Sequence, residues 1–174
     1  MSFAERIEKS NELTHRFIKY CKLKNLEYAF SGYENLIQSS AFGNKIKTLN
    51  DTTSMNLRYF PDIVLLNKKA WLIELKNSKY IEKAAYDNYI NLDNIGYNVG
   101  LIYCIHSEMR FVEISKLRFC QIINSDCPII DNIWLSPRLM SDDLYFAWKS
   151  KHKSASGTSF GIIDTDKKIY TVLR

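Results

Sequence analysis

Between Tyr59 and Lys76 the chain reads Tyr-Phe-Pro-Asp-Ile-Val-Leu-Leu-Asn-Lys-Lys-Ala-Trp-Leu-Ile-Glu-Leu-Lys. Two apolar, β-branched runs flank a short basic break, which is the pattern of a β-hairpin. If Leu66 pairs with Ala70 across Asn67-Lys68-Lys69, then Asp62 stands opposite Glu74. Opposed residues on one face have Cβ atoms about 4.5–5.5 Å apart, where like charges repel. Two carboxylates so placed want a cation between them, and oxygen clusters of this kind suit hard ions such as Mg²⁺. Alternation along the strand puts Lys76 on the face of Glu74 and turns Leu75 into the core. The flanking residues are apolar on both faces, so a covered central sheet fits better than an exposed hairpin. A metal in such a set can hold a phosphate and lower the pKa of a bound water. An ammonium beside it can stabilise developing negative charge.

Pro61-Asp62, eleven residues, then Glu74-Leu75-Lys76 resembles the PD-(D/E)XK nuclease superfamily, which includes restriction endonucleases and archaeal Holliday-junction resolvases. A lone Glu-X-Lys is common. Its combination with Pro-Asp at hairpin spacing is more specific. The resemblance spans about residues 31–115 and implies a restriction-endonuclease-like α/β core: a central mixed sheet flanked by helices, in the order αβββαβ. It also implies a Mg²⁺- or Mn²⁺-dependent endonuclease. Asp62, Glu74 and the main-chain carbonyl of Leu75 would ligate the metal, and Lys76 would orient or activate the attacking water. A further catalytic Glu is expected from the helix before the first core strand.

Periodicity gives the same order of elements independently. Residues 3–24 carry Phe3, Ile7, Leu13, Phe17, Ile18 and Cys21 near helical spacing. The opposite face holds Arg6, Lys9, Arg16, Lys19 and Lys22, which reads first as a solvated face. Leu26 to Phe30 is extended. Ser31 followed by Glu34 matches a capping box for a helix reaching about Phe42. Lys45 to Leu49 then reads as a short strand, Asn50 to Asn56 as a polar turn, and Leu57 to Leu66 as the Pro-Asp strand. This layout favours Glu34 over Glu12 as the further carboxylate, because the alternative leaves 31–56 as a long structureless insertion. The capping role competes for the same side chain.

Past the hairpin, Asn77-Ser78 can cap a helix over about 79–94, with Ile81, Ala84, Ala85, Tyr89, Leu92 and Ile95 facing the sheet and Gly96 stopping it. Polar residues of this helix approach the substrate in the resembled superfamily, which makes Lys79 and Lys83 candidate phosphate contacts. Its Gln-X-X-X-Tyr pattern is absent here. Tyr97 to Ile105 reads as a buried strand and Arg110 to Ile114 as another. Residues 116–174 form a C-terminal extension of loops and short helices, with a basic loop at 149–157 containing Lys151 and Lys153, both candidate nucleic-acid contacts. Phe160 to Ile163 and Lys168 to Leu173 suggest a closing hairpin.

At 174 residues and 46% hydrophobic content the chain suits a single domain with a proper core. Its net charge of +5 is compatible with a polyanionic partner without demanding one. No run is long enough to span a membrane, and Cys21, Cys104, Cys120 and Cys127 lack zinc spacing, as for reduced thiols in a cytoplasmic protein. DNA ranks ahead of RNA as substrate, and a homodimer would suit two-strand cleavage. His15 on the first helix raises a second resemblance, to cap-snatching RNA endonucleases, where a histidine ligates metal. A catalytically silent nucleic-acid-binding module on the same fold is the third reading.

Overall fold

The computed structural model describes residues 3–32, 48–49, 51–152 and 157–174, with side chains in the first helix from Glu12 onward. Helix α1 (Phe3–Leu23) leads into β1 (Glu27–Phe30). After a short helix α2 (Thr52–Arg58) come β2 (Ile63–Asn67), β3 (Lys69–Lys76), β4 (Tyr80–Glu82) and helix α3 (Lys83–Asn94). Strands β5 (Val99–Ile105) and β6 (Glu108–Glu113) follow. The extension holds β7 (Ile129–Ile130), β8 (Trp134–Leu135), helix α4 (Asp142–Lys151), β9 (Phe160–Ile162) and β10 (Thr171–Leu173).

Among the described residues the main sheet has six strands, in the order β1-β2-β3-β5-β6-β10. Among the described residues its only parallel pair is β3 with β5, joined through β4 and α3, because parallel neighbours need a crossover. The sheet is therefore mixed and the class α/β. The β2–β3 register runs from Ile63↔Ile73 through Leu66↔Ala70 to Asn67↔Lys69, as the apolar alternation predicts. Between β5 and β6, His106 and Ser107 both take positive φ, the two-residue turn that matches strand twist.

Each face of the sheet has its own core. On one, Ile63, Leu65, Ile73 and Ile102 pack against Leu13, Phe17 and Cys21 of α1, with Leu75 beside them. Burial pushes the Cys21 thiol up to about 11, and all four cysteines are free. On the other, Leu72, Leu101 and Tyr103 pack against Ala85 and Tyr89 of α3. Arg16 does not join an open basic face. Its guanidinium donates to Cys104 Sγ at 3.3 Å and to the Ser107 carbonyl, tying α1 to the β5–β6 turn.

Four expectations need correction. Residues 52–58 are helical, because the Asp51 carboxylate accepts the Ser54 N–H (3.0 Å) and hydroxyl (2.6 Å) and caps α2. The Pro-Asp strand accordingly starts at Ile63 rather than Leu57. β1 pairs with β2, so the αβββαβ order begins with α1 and not at residue 31, while most of the strand expected over 45–49 lies outside the described residues. The helix expected over 34–42, with Glu34, lies outside the described residues.

The third correction is at 79–82. These residues are extended, and Tyr80, Ile81 and Glu82 pair with Ile162, Gly161 and Phe160 in a second, antiparallel sheet, β4-β9-β8-β7. A Cβ on Gly161 would lie 2.9 Å from both Phe119 and Trp134, so the missing side chain lets the two rings close over the strand. Helix α3 therefore begins at Lys83. It ends where Gly96, at φ 99°, donates to Asp93 and Tyr97 donates to Leu92, leaving Ile95 exposed rather than facing the sheet.

The fourth concerns the C-terminus. β9 and β10 are not a hairpin: β9 joins the second sheet, whereas β10 pairs with β6 at the edge of the first. Among the described residues no helix is long and apolar enough to cross a membrane.

Candidate active site

Asp62, Glu74 and Lys76 project from the α3 face of the main sheet, at the end where β2 leaves the ladder. Extending the register by one residue puts Asp62 opposite Glu74. The Asp62 carboxylate, through Oδ2, accepts the N–H of Leu75 at 2.9 Å. The N–H and C=O of a strand residue face the same neighbouring strand, so the Leu75 carbonyl is also directed to the Asp62 side.

The Asp62 backbone is clamped from β1. Its carbonyl accepts both Ser31 N–H (2.8 Å) and Gly32 N–H (3.1 Å), while the Ser31 hydroxyl donates to the Pro61 carbonyl at 2.9 Å. Gly32 is buried directly against this segment. A Cβ there would sit 2.9 Å from Asp62 Cα and 3.0 Å from Oδ1.

Glu74 is only 5% exposed, an unusual place for a charge. Lys76 Nζ lies 2.7 Å from its Oε1, and the Tyr89 hydroxyl of α3 donates to the same carboxylate. Burial works against the Lys76 ammonium, but Glu74, then Asp62 and Glu82, hold its pKa above the usual lysine value. Lys76 is thus a standing cation and donor. Burial, followed by the charge of Glu74, pushes the Tyr89 phenol well up, so Tyr89 keeps its proton and donates it. A carboxylate has about four lone-pair sites. Lys76 and Tyr89 occupy two of those on Glu74, which leaves acceptor capacity for a further cation.

Would these residues suit a divalent ion? The donors are hard oxygens from two carboxylates and a carbonyl, and Mg²⁺ is commonly held by one or two carboxylates with water and substrate phosphate completing its shell. The set fits on that count. Among the described residues no three of His, Cys, Asp and Glu gather as a metal-binding group. Glu12 and His15, both exposed on α1, therefore do not join Asp62 and Glu74. α1 precedes the first core strand, which removes the layout reason for preferring Glu34 to Glu12. Glu34 is outside the described residues.

Glu82 escaped the sequence reading. It ends β4 and stands at the N-cap of α3 without a side-chain capping bond, and its charge acts on Lys76, Tyr89 and Tyr59. The signal was the alternation of Tyr80-Ile81-Glu82, hidden inside a stretch assigned to a helix. The expected phosphate-contacting lysines are scattered. Lys83 Nζ is bound to Asp87 at 2.7 Å and lies 5.6 Å from the centre of the Trp134 ring, a local and not an open position. Lys79 is exposed near Cys120, Lys151 is exposed at the end of α4, and Lys153 is outside the described residues.

No protein-family model matches the chain, and no curated protein matches it. Among solved structures, Hjc from Archaeoglobus fulgidus, a Holliday junction resolvase from an archaeal hyperthermophile, is similar at 14% identity. The match covers 63% of this chain and 76% of that one, with a TM-score of 0.38.

Proposed function

We propose that the chain is a divalent-metal-dependent endonuclease that hydrolyses phosphodiester bonds, in DNA ahead of RNA. The observation that carries this reading is the buried Glu74 in 2.7 Å contact with Lys76, one residue from the Leu75 N–H that anchors Asp62. Two carboxylates and a cation gathered on one sheet face, with one carboxylate nearly out of water, are costly to fold. A structural ion pair needs neither Asp62 nor the Gly32 approach that fixes it.

Asp62, Glu74 and the Leu75 carbonyl would hold Mg²⁺ or Mn²⁺, which when bound neutralises charge on the scissile phosphate and makes a bound water more acidic. Lys76 donates toward the attacking water and the oxygens on which charge develops. Its raised pKa favours this over proton abstraction. Tyr89 keeps the Glu74 carboxylate in one orientation. Glu34 is the source left for a further carboxylate, because Glu12 stands on α1 away from Asp62 and Glu74; cleavage lost in Glu34→Gln and kept in Glu12→Gln is the expected result. A homodimer and an intracellular location belong to the same reading.

The test is cleavage of labelled duplex, branched and single-stranded DNA, and of RNA, with Mg²⁺, Mn²⁺ or EDTA. Cleavage that vanishes in EDTA and in Asp62→Ala is the expected result, with the preferred substrate choosing DNA or RNA. Absence of cleavage on all four, with nucleic-acid binding unchanged in Asp62→Ala, would replace the enzyme by a binding module.

A further inference from the structure

Tyr59 leads into the Pro61-Asp62 segment, and cations of α2 and of the C-terminal extension act on its phenol. Arg58 ends α2; its guanidinium lies 6.0 Å from the centre of the Tyr59 ring and donates to the Leu49 carbonyl at 2.8 Å. The Tyr59 carbonyl accepts from Asn88 Nδ2 at 3.0 Å, which fixes the segment leading into Asp62 against α3, one residue from Tyr89.

Arg138 lies in the 3₁₀ turn Pro137–Leu139 of the C-terminal extension. Glu82 and Leu135 pair with Phe160 from its two sides. One residue further on, Ser136 Oγ lies 2.7 Å from Ser159 Oγ, and the Ser159 carbonyl accepts the Lys83 N–H at 2.8 Å. The turn carrying Arg138 is thereby held two strands from Glu82 and the N-terminus of α3. The charges of Arg58, Arg138 and Lys76 all reach the Tyr59 phenol, opposed by burial and Glu82. Arg138 is exposed, and among the described residues no carboxylate pairs with it.

We propose that Arg138 forms a phosphate-binding rim that holds the backbone of duplex DNA next to the Asp62–Glu74–Lys76 cluster. The proposal rests on the nuclease reading and adds the surface that seats the substrate. A guanidinium presents a planar fork of donors that matches phosphate oxygens. Such a contact positions the duplex without reading sequence. The rim also gives the extension a role in the site: it delivers the cation.

The test is fluorescence anisotropy of labelled duplex DNA, and of an RNA duplex of the same sequence, against the full chain in EDTA. Wild type, Arg138→Ala, Arg138→Glu and Lys68→Ala are compared over a range of salt. Lys68 lies at the β2–β3 turn, roughly 17–20 Å along the hairpin from Asp62. Arg138→Ala should weaken DNA binding roughly fivefold for every sequence and lower the salt slope by about one. Arg138→Glu should weaken it further, and Lys68→Ala should match wild type. Changes under twofold in both Arg138 variants, or a loss on RNA alone, overturn the rim. Mn²⁺ calorimetry on wild type, Asp62→Asn and Arg138→Ala separates the two failures. An Asp62-dependent Mn²⁺ site with no Arg138 effect sinks the rim alone, whereas absence of both metal and nucleic-acid binding sinks the nuclease reading and the rim with it.

Discussion

Asp62 depends on a residue that has no side chain. Gly32 approaches so closely that a Cβ would meet the Asp62 Cα at 2.9 Å, and a backbone atom cannot swing aside as a flexible side-chain tip would. The Leu75 N–H also holds the carboxylate, so a shift of the backbone moves this hydrogen bond and the proposed metal ligand with it. Gly32→Ala should therefore cost about 1–3 kcal/mol in urea unfolding, the usual range for overpacking. It should lower kcat roughly tenfold or more, because misplacing a catalytic group is expensive even when the fold survives. Full activity in Gly32→Ala would mean that Asp62 tolerates displacement and that its position is not what matters. The sequence offered no hint of this contact, since Ser31-Gly32 read only as the approach to a helix.

At the level of elements, legibility followed how locally each was determined. The hairpin was readable because alternating apolar residues and the basic break at 67–69 specify its register within eighteen residues, 59–76. Its paired acids and Lys76 followed from that register. Helix α2 was not readable, since Thr-Thr-Ser-Met-Asn-Leu-Arg has no apolar period and owes its start to the Asp51 cap. The Ser54 hydroxyl and then its N–H hold the Asp51 carboxyl below the usual range. A depressed carboxyl pKa stabilises the fold above the unfolded value, and that contribution fades as pH falls through the lowered value. Asp51→Ala should lower Tm by roughly 2–4 °C at pH 7, with the gap to wild type closing toward pH 3. A gap of the same size at both pH values would show that the charge of Asp51 is not what caps α2. The strand pairings of β4, β9 and β10 were beyond local pattern altogether: each is three residues long, and its partner lies far away in sequence. Glu82 was lost with β4.

For the whole molecule, the C-terminal extension is part of the core and not an appendage. Trp134 and Ile163 are buried in the same cluster as Leu101 and Tyr103, and β10 covers the edge of β6. The full chain should unfold in urea as one cooperative transition. A chain ending at Leu117 should show none, and a native-like transition in that fragment would mean the core folds without the extension. The same arrangement places the site between elements distant in sequence, where Asp62 and Glu74 would share a divalent cation. Mn²⁺ calorimetry without substrate tests this most directly, because it does not depend on guessing the right nucleic acid. Wild type should show a site that Asp62→Asn and Glu74→Gln each weaken roughly tenfold or more, with both variants keeping the wild-type circular dichroism. Equal Mn²⁺ binding in all three proteins, or none in wild type, would contradict the account.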